Sequence, residues 1–299
     1  MRNNTIHETS TLEDVEQILA VMRRNESGCY RCQDYLAKKT LADEIDEGWR
    51  QKMCEWMYGV VDHCNFRRDI VAVATAYIDM CLSIDSEIIH SRRSYQLAAL
   101  TTLYLSMKIY DTTFVKLEGL LKLGRGLFKK NDVLEMEQRI LSKLNWRVHP
   151  PTSMCFFRHY VRLIPTTVSP SIIFMVTEVS RFIIEISVCL YKFIECPPSI
   201  IASAAVFIAI DAIDESSLPR WQRHQINIRL EKAAEISKRT NLYRQTISKL
   251  RVSFDKNVDI KSLMSTIDPN CRVNCSVSME RRSNGRDGSP KDVSQGISL

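Results

Sequence analysis

From Trp49 onward the apolar residues of this chain recur at intervals of three and four, and Trp49, Met53, Trp56, Val60 and Cys64 line one face of a helix. A second stripe runs through Val71, Thr75, Ile78 and Leu82. A third, after the polar turn His90 to Ser94, runs through Leu97, Leu100, Tyr104 and Met107. Ala98, Ala99, Thr101, Thr102 and Ser106 leave this third helix almost without a polar face, so it is expected to run between neighbours on most sides. A shorter helix fits Phe114 to Leu123, broken by Gly124 and Gly126, and a fifth runs from a cap at Asp132 through Val133, Met136, Ile140 and Leu144. Pro150 and Pro151 end the set.

Five further helices follow, over about Thr152 to Ile164, Ser171 to Lys192, Pro198 to Ile213, Pro219 to Lys238 and Asn241 to Phe254. The middle one, with Ala202, Ser203, Ala204, Ala205, Ala209 and Ala212, repeats the small-residue character of the third helix. The pattern therefore predicts an all-α chain of two tandem five-helix bundles, each built around a central small-residue helix. Residues 41–150 form the first unit and 151–260 the second. Residues 1–40 read as a polar extension with a short helical stretch near Leu12 to Met22. Residues 261–299, rich in Ser, Asn, Gly and Arg, read as a disordered tail.

With 45% apolar residues over 299 positions, the chain can bury a full core. Its 41 basic and 35 acidic residues give a net charge of only +6, spread without a stripe, so no nucleic acid is expected as partner. The longest apolar run, Ile200 to Ile210, is interrupted by Ser203 and falls short of the ~20 residues that cross a bilayer, so no membrane is expected either. Ten cysteines follow no signal peptide, and Cys54, Cys64, Cys81 and Cys189 sit within apolar helical patterns, which reads as reduced and intracellular. Cys29 and Cys32 form one CxxC without a second pair at zinc-ribbon spacing, so no metal or other cofactor is expected. No phosphate-binding glycine loop or HExxH is present, and the chain does not read as an enzyme.

The anomaly is a set of four ionisable residues on or beside apolar stripes: Arg50, Asp79, Lys108 and Glu137. Glu137 has Val133, Leu134, Ile140 and Leu141 three and four positions away, so it faces the side they face. Unpaired burial costs several kcal/mol, so two acids and two bases imply pairing within the domain or with something that binds it. Spacing alone leaves the pairing open.

These residues resemble the cyclin box of the cell-cycle cyclins. Arg50-Gln-Lys-Met-Cys-Glu55-Trp56-Met is similar to the box's opening Met-Arg-x-Ile-Leu-x-Asp-Trp-Leu, and Tyr77-Ile-Asp79-Met-Cys-Leu82-Ser83 to its Tyr-Leu-Asp-Arg-Phe-Leu-Ser. Tyr95-Gln96-Leu97 and Leu105-Ser-Met-Lys108 resemble its Leu-Gln-Leu and Leu-Ala-Ser-Lys, and Glu135-Met136-Glu137 through Leu144-Asn-Trp146 resembles its Met-Glu-x-x-x-Leu-x-x-Leu-x-Trp. The five hallmark positions are filled by Arg50, Asp79, Leu97, Lys108 and Glu137. The second half resembles the family more loosely, through Pro197-Pro198-Ser199-Ile-Ile-Ala202.

The resemblance implies two cyclin folds and a regulatory subunit that binds and activates a cyclin-dependent serine/threonine kinase, as a heterodimer, in nucleus or cytoplasm. It implies that Arg50 and Asp79 pair inside the box, with Leu97 and Trp56 in its core, while Lys108 and Glu137 meet the kinase. A substrate-docking patch would use Met53, Trp56 and Gln96. Here Lys52 stands where the patch has an Ile and Gly59 where it has an acid, so a basic Arg-x-Leu motif loses its counter-charge. The alternative readings are a cyclin-fold adaptor in transcription and a scaffold that does not activate a kinase.

Overall fold

The computed structural model describes residues 12–37, 45–84, 89–111, 116–124, 126–235 and 240–255. They form eleven α-helices and one 3-10 turn, with no strand among the described residues. Helix α1 is Leu12–Ser27. The first bundle holds α2 (Glu47–His63), α3 (Asp69–Ile84), α4 (Arg92–Tyr110), α5 (Leu117–Leu123) and α6 (Lys130–Lys143). The second holds α7 (Ser153–Val161), α8 (Pro170–Cys189), the 3-10 turn Tyr191–Phe193, α9 (Pro198–Ala212), α10 (Arg220–Ala234) and α11 (Asn241–Asp255). The all-helical tandem fold expected from the sequence is present.

Each small-residue helix is the axle of its bundle. Around α4 pack α2, α3, α5 and α6; around α9 pack α7, α8, α10 and α11. Ala98, Ala99, Thr101, Thr102 and Ser106 are fully buried, and short side chains let four neighbours come close. The threonine hydroxyls do not oppose this burial, because Thr101 donates to Leu97 O at 2.7 Å and Thr102 to Ala99 O at 3.2 Å. Gly124, which ends α5, meets the same crowding: a Cβ there would lie 2.8 Å from Leu100 Cδ1.

Four details differ from the sequence reading. First, the polar extension contains a helix that belongs to the second core: Val15 and Leu19 of α1 are buried there, and α1 packs on α7 and α10. The reason lies at α9, which begins Pro197-Pro198 and has no side-chain cap of its own. Glu26 supplies one from α1, accepting hydrogen bonds from the Ser199 hydroxyl and, at 2.9 Å, from the Ser199 N–H. Arg23 serves the C-terminal end of α10, donating to Ala233 O at 2.5 Å. Second, α6 starts at Lys130, so Asp132 lies inside its first turn, where it accepts from Lys129 N–H at 2.8 Å. Third, Cys64 follows α2 as an exposed capping residue. Fourth, α10 ends at Ala234, with Glu235 in the left-handed region at φ 49°. The expected helix start at Phe114, the helix end at Lys238 and the 261–299 tail lie outside the described residues.

Polar contacts tie the bundles together. Arg68, which precedes α3, bonds Glu185 of α8 at 2.9 Å and also pairs with Asp62. Asp69 pairs with Arg158 of α7. In the connecting segment, Val148 O accepts from Tyr77 at 2.6 Å and from Tyr110 at 3.0 Å.

Candidate functional site

The two ion pairs are assembled by helices of the first bundle and differ in exposure. Arg50 reaches from α2 to Asp79 on α3, with Nε 2.9 Å from Oδ1 and a terminal nitrogen 2.7 Å from Oδ2. Arg50 is 4% exposed and Asp79 6%. The second terminal nitrogen donates to Val188 O at 2.9 Å and Cys189 O at 3.1 Å, two carbonyls of the last turn of α8. Those carbonyls have lost their helical partners, and the guanidinium supplies donors to them. Burial works against the charge of Arg50, but the Asp79 carboxylate outweighs it and holds the group more firmly protonated than usual.

Two tyrosines close the site. Tyr35 donates to Asp79 Oδ1 at 2.9 Å, and Tyr191 lies under the guanidinium with its ring centre 6.0 Å from Cζ. The Tyr191 hydroxyl in turn donates to Asp34 at 2.7 Å and accepts from Leu36 N–H at 3.0 Å. A buried pair repays its desolvation only when its remaining donors and acceptors are met, and here both residues are met from several sides. Arg50 and Asp79 therefore hold the fold together and offer no surface to a partner.

Lys108 and Glu137 are arranged differently. Lys108, in the last turn of α4, pairs with Glu137 of α6, and its ammonium lies 4.6 Å from the centre of the Tyr104 ring. The Lys108 side chain is 38% exposed and that of Glu137 12%. The ammonium is therefore the side of the pair that faces solvent, while the carboxylate is mostly covered. Glu137 sits at the edge of its stripe, because Val133 and Ile140 are buried while Leu134 is exposed.

Leu97 is half-buried against the first core. Of the docking-patch residues, Met53 is a core residue, and Trp56 and Gln96 are half-buried; Lys52 and Gly59 are exposed. Sequence reasoning missed Tyr35, Tyr191 and the Val188 and Cys189 carbonyls. Tyr35 lies in a stretch without periodicity, and backbone carbonyls carry no residue signature.

A family model described as the cyclin N-terminal domain matches residues 17–149, and one described as the cyclin C-terminal domain matches residues 151–257. The chain belongs to the cyclin family. This cyclin is 24% identical over 199 residues to Cyclin-A1-2 of Oryza sativa subsp. japonica, covering 67% of the chain and 41% of that protein. It is 24% identical over 207 residues to Cyclin-B2-1 of Arabidopsis thaliana, covering 69% and 46%. With G2/mitotic-specific cyclin-2 of Medicago sativa it shares 25% over 217 residues, covering 70% and 63%. The chain thus spans less than two thirds of the length of these curated relatives. In fold it is similar to a viral cyclin from herpesvirus saimiri, with a TM-score of 0.59 at 14% identity, covering 83% of this chain and 99% of the other.

Proposed function

We propose that this cyclin is a regulatory subunit that binds and activates a cyclin-dependent serine/threonine kinase and thereby controls cell-cycle progression, acting in the nucleus, the cytoplasm or both. The observation that supports this reading is the half-open Lys108–Glu137 pair, standing on the same bundle as a closed Arg50–Asp79 pair. Lys108 and Glu137 offer a cation and an anion side by side, suited to a backbone carbonyl and an N–H at the end of a kinase helix. Pressing the kinase's regulatory helix inward brings its Glu onto the ATP-orienting Lys, and an active kinase needs that pair closed. In this mechanism the cyclin contributes position and no chemistry. Kinase substrates would meet the surface of Trp56 and Gln96, with Lys52 disfavouring a basic motif.

The test is binding and phosphorylation with purified kinase. Lys108→Ala and Glu137→Ala should keep the melting temperature and weaken association by roughly 2 kcal/mol or more, with phosphorylation of a histone-type substrate lost in step. Variants that melt early, and still bind in proportion to what remains folded, would assign both residues to structure alone.

A further inference from the structure

Tyr104 stands one helical turn before Lys108 on α4, so the two side chains share a face of the helix. The Lys108 ammonium lies over the Tyr104 ring, 4.6 Å from its centre, and pairs with the Glu137 carboxylate on α6. Tyr104 itself is half-buried and packed against the first core, which fixes where its ring stands. A lysine head rides on a flexible four-carbon stem and carries three N–H donors. Glu137 takes one donor, and the ring face covers a second direction. The Lys108 side chain is still 38% exposed, which leaves a donor for a group that docks from outside. Residue 104 is outside the five hallmark positions of the box.

We infer that Tyr104 is a positioning residue of the kinase contact: its ring holds the Lys108 ammonium where it meets a backbone carbonyl of the kinase. This role rests on the kinase-binding reading above and adds to it the side chain that aims the lysine. Tyr104 acts through Lys108 and needs no contact of its own with the kinase.

An ammonium is a compact charge, so one carboxylate restrains its distance but leaves the stem free to swing around that point. The ring supplies a second restraint from a different helix. Its face carries the negative side of the aromatic quadrupole and attracts the ammonium, where a leucine of similar bulk would only pack. The attraction grows as docking strips water from the site, because screening falls with it. Burial, and after it the charge of Glu137, push the Tyr104 phenol above its ordinary range, so the ring stays neutral and forms no ion pair of its own with Lys108. A lysine held before docking has already given up its rotamer freedom, and less is lost on association.

The experiment measures binding of a purified, cyclin-free cyclin-dependent kinase to the full-length chain, expressed per folded molecule. Tyr104→Leu should weaken binding about tenfold, whereas Tyr104→Phe, which keeps the ring face, should stay within about twofold of the unmodified chain. Lys108→Met removes the charge and keeps the stem. In that background Tyr104→Leu should cost nothing further, because the ring has no ammonium to hold. Nuclear magnetic resonance of the free chain decides the matter even if Tyr104→Leu fails to fold: the Lys108 ε-methylene protons should lie upfield of ordinary lysine in the unmodified chain and in Tyr104→Phe. Unshifted protons would overturn the role of the ring. So would unchanged binding by Tyr104→Leu beside weakened binding by Lys108→Met, or losses that simply multiply in the double variant, and in these cases the kinase contact of Lys108 stands. Undiminished binding by Lys108→Met would instead overturn the kinase-binding reading of Lys108, and the role of Tyr104 with it.

Discussion

Arg50 and Asp79 form a two-point ion pair inside the first bundle, and the same guanidinium grips the end of α8 in the second. One side chain thus joins three helices. Removing its carboxylate partner leaves a charge with no water around it.

Asp79→Ala should therefore cost about 3–5 kcal/mol, as breaking a buried pair does. Because Arg50 also bonds α8, the loss should reach the second bundle. Hydrogen exchange would show amides near the end of α8 losing protection along with those of α2. A melting temperature equal to that of the unmodified chain would place Asp79 in solvent and contradict the geometry.

Glu26 predicts a pH dependence. Burial raises its carboxyl above the ordinary value of 4.5, although the hydrogen bonds from Ser199 and the charge of Arg23 oppose the rise. A carboxyl raised in the fold contributes stability that is fully present below its unfolded value and is lost as pH rises through its folded value. A tenfold change in proton affinity between the folded and unfolded chain is worth about 1.4 kcal/mol. Glu26→Gln keeps an oxygen for Ser199 and cannot ionise. Between about pH 4 and pH 7 the melting temperature of the unmodified chain should fall relative to that of the variant. Buried Glu185, raised in the same direction, is common to both proteins and cancels in the comparison. Parallel melting curves across that range would show that Glu26 contributes nothing to it.

Two glycines should respond in opposite directions to alanine. Gly59 is on the exposed face of α2 with nothing within 4 Å of an added Cβ, so Gly59→Ala should stabilise by up to about 1 kcal/mol through helix propensity alone. At Gly124 the new Cβ would lie 2.8 Å from Cδ1 of buried Leu100, which must shift within the core to make room, so Gly124→Ala should cost about 1–3 kcal/mol. Urea denaturation of the two variants side by side measures both.

The sequence by itself determined the helices and their grouping, because a buried face imposes a spacing of three and four that survives in any orientation of the chain. It marked α4 and α9 as axles, since only small side chains permit neighbours on every side. It also marked Arg50, Asp79, Lys108 and Glu137, since a charge on an apolar stripe is conspicuous in one dimension. Only the tertiary structure decided how they pair and which pair is sealed. Exposure depends on what other elements bring, such as Tyr35 from an unpatterned segment and two bare carbonyls from the end of α8. The same reason hid the role of α1: the missing cap of α9 is local, but the carboxylate that fills it is 173 residues away in the chain. Partnership at such distances is set by packing, which leaves no period in the sequence.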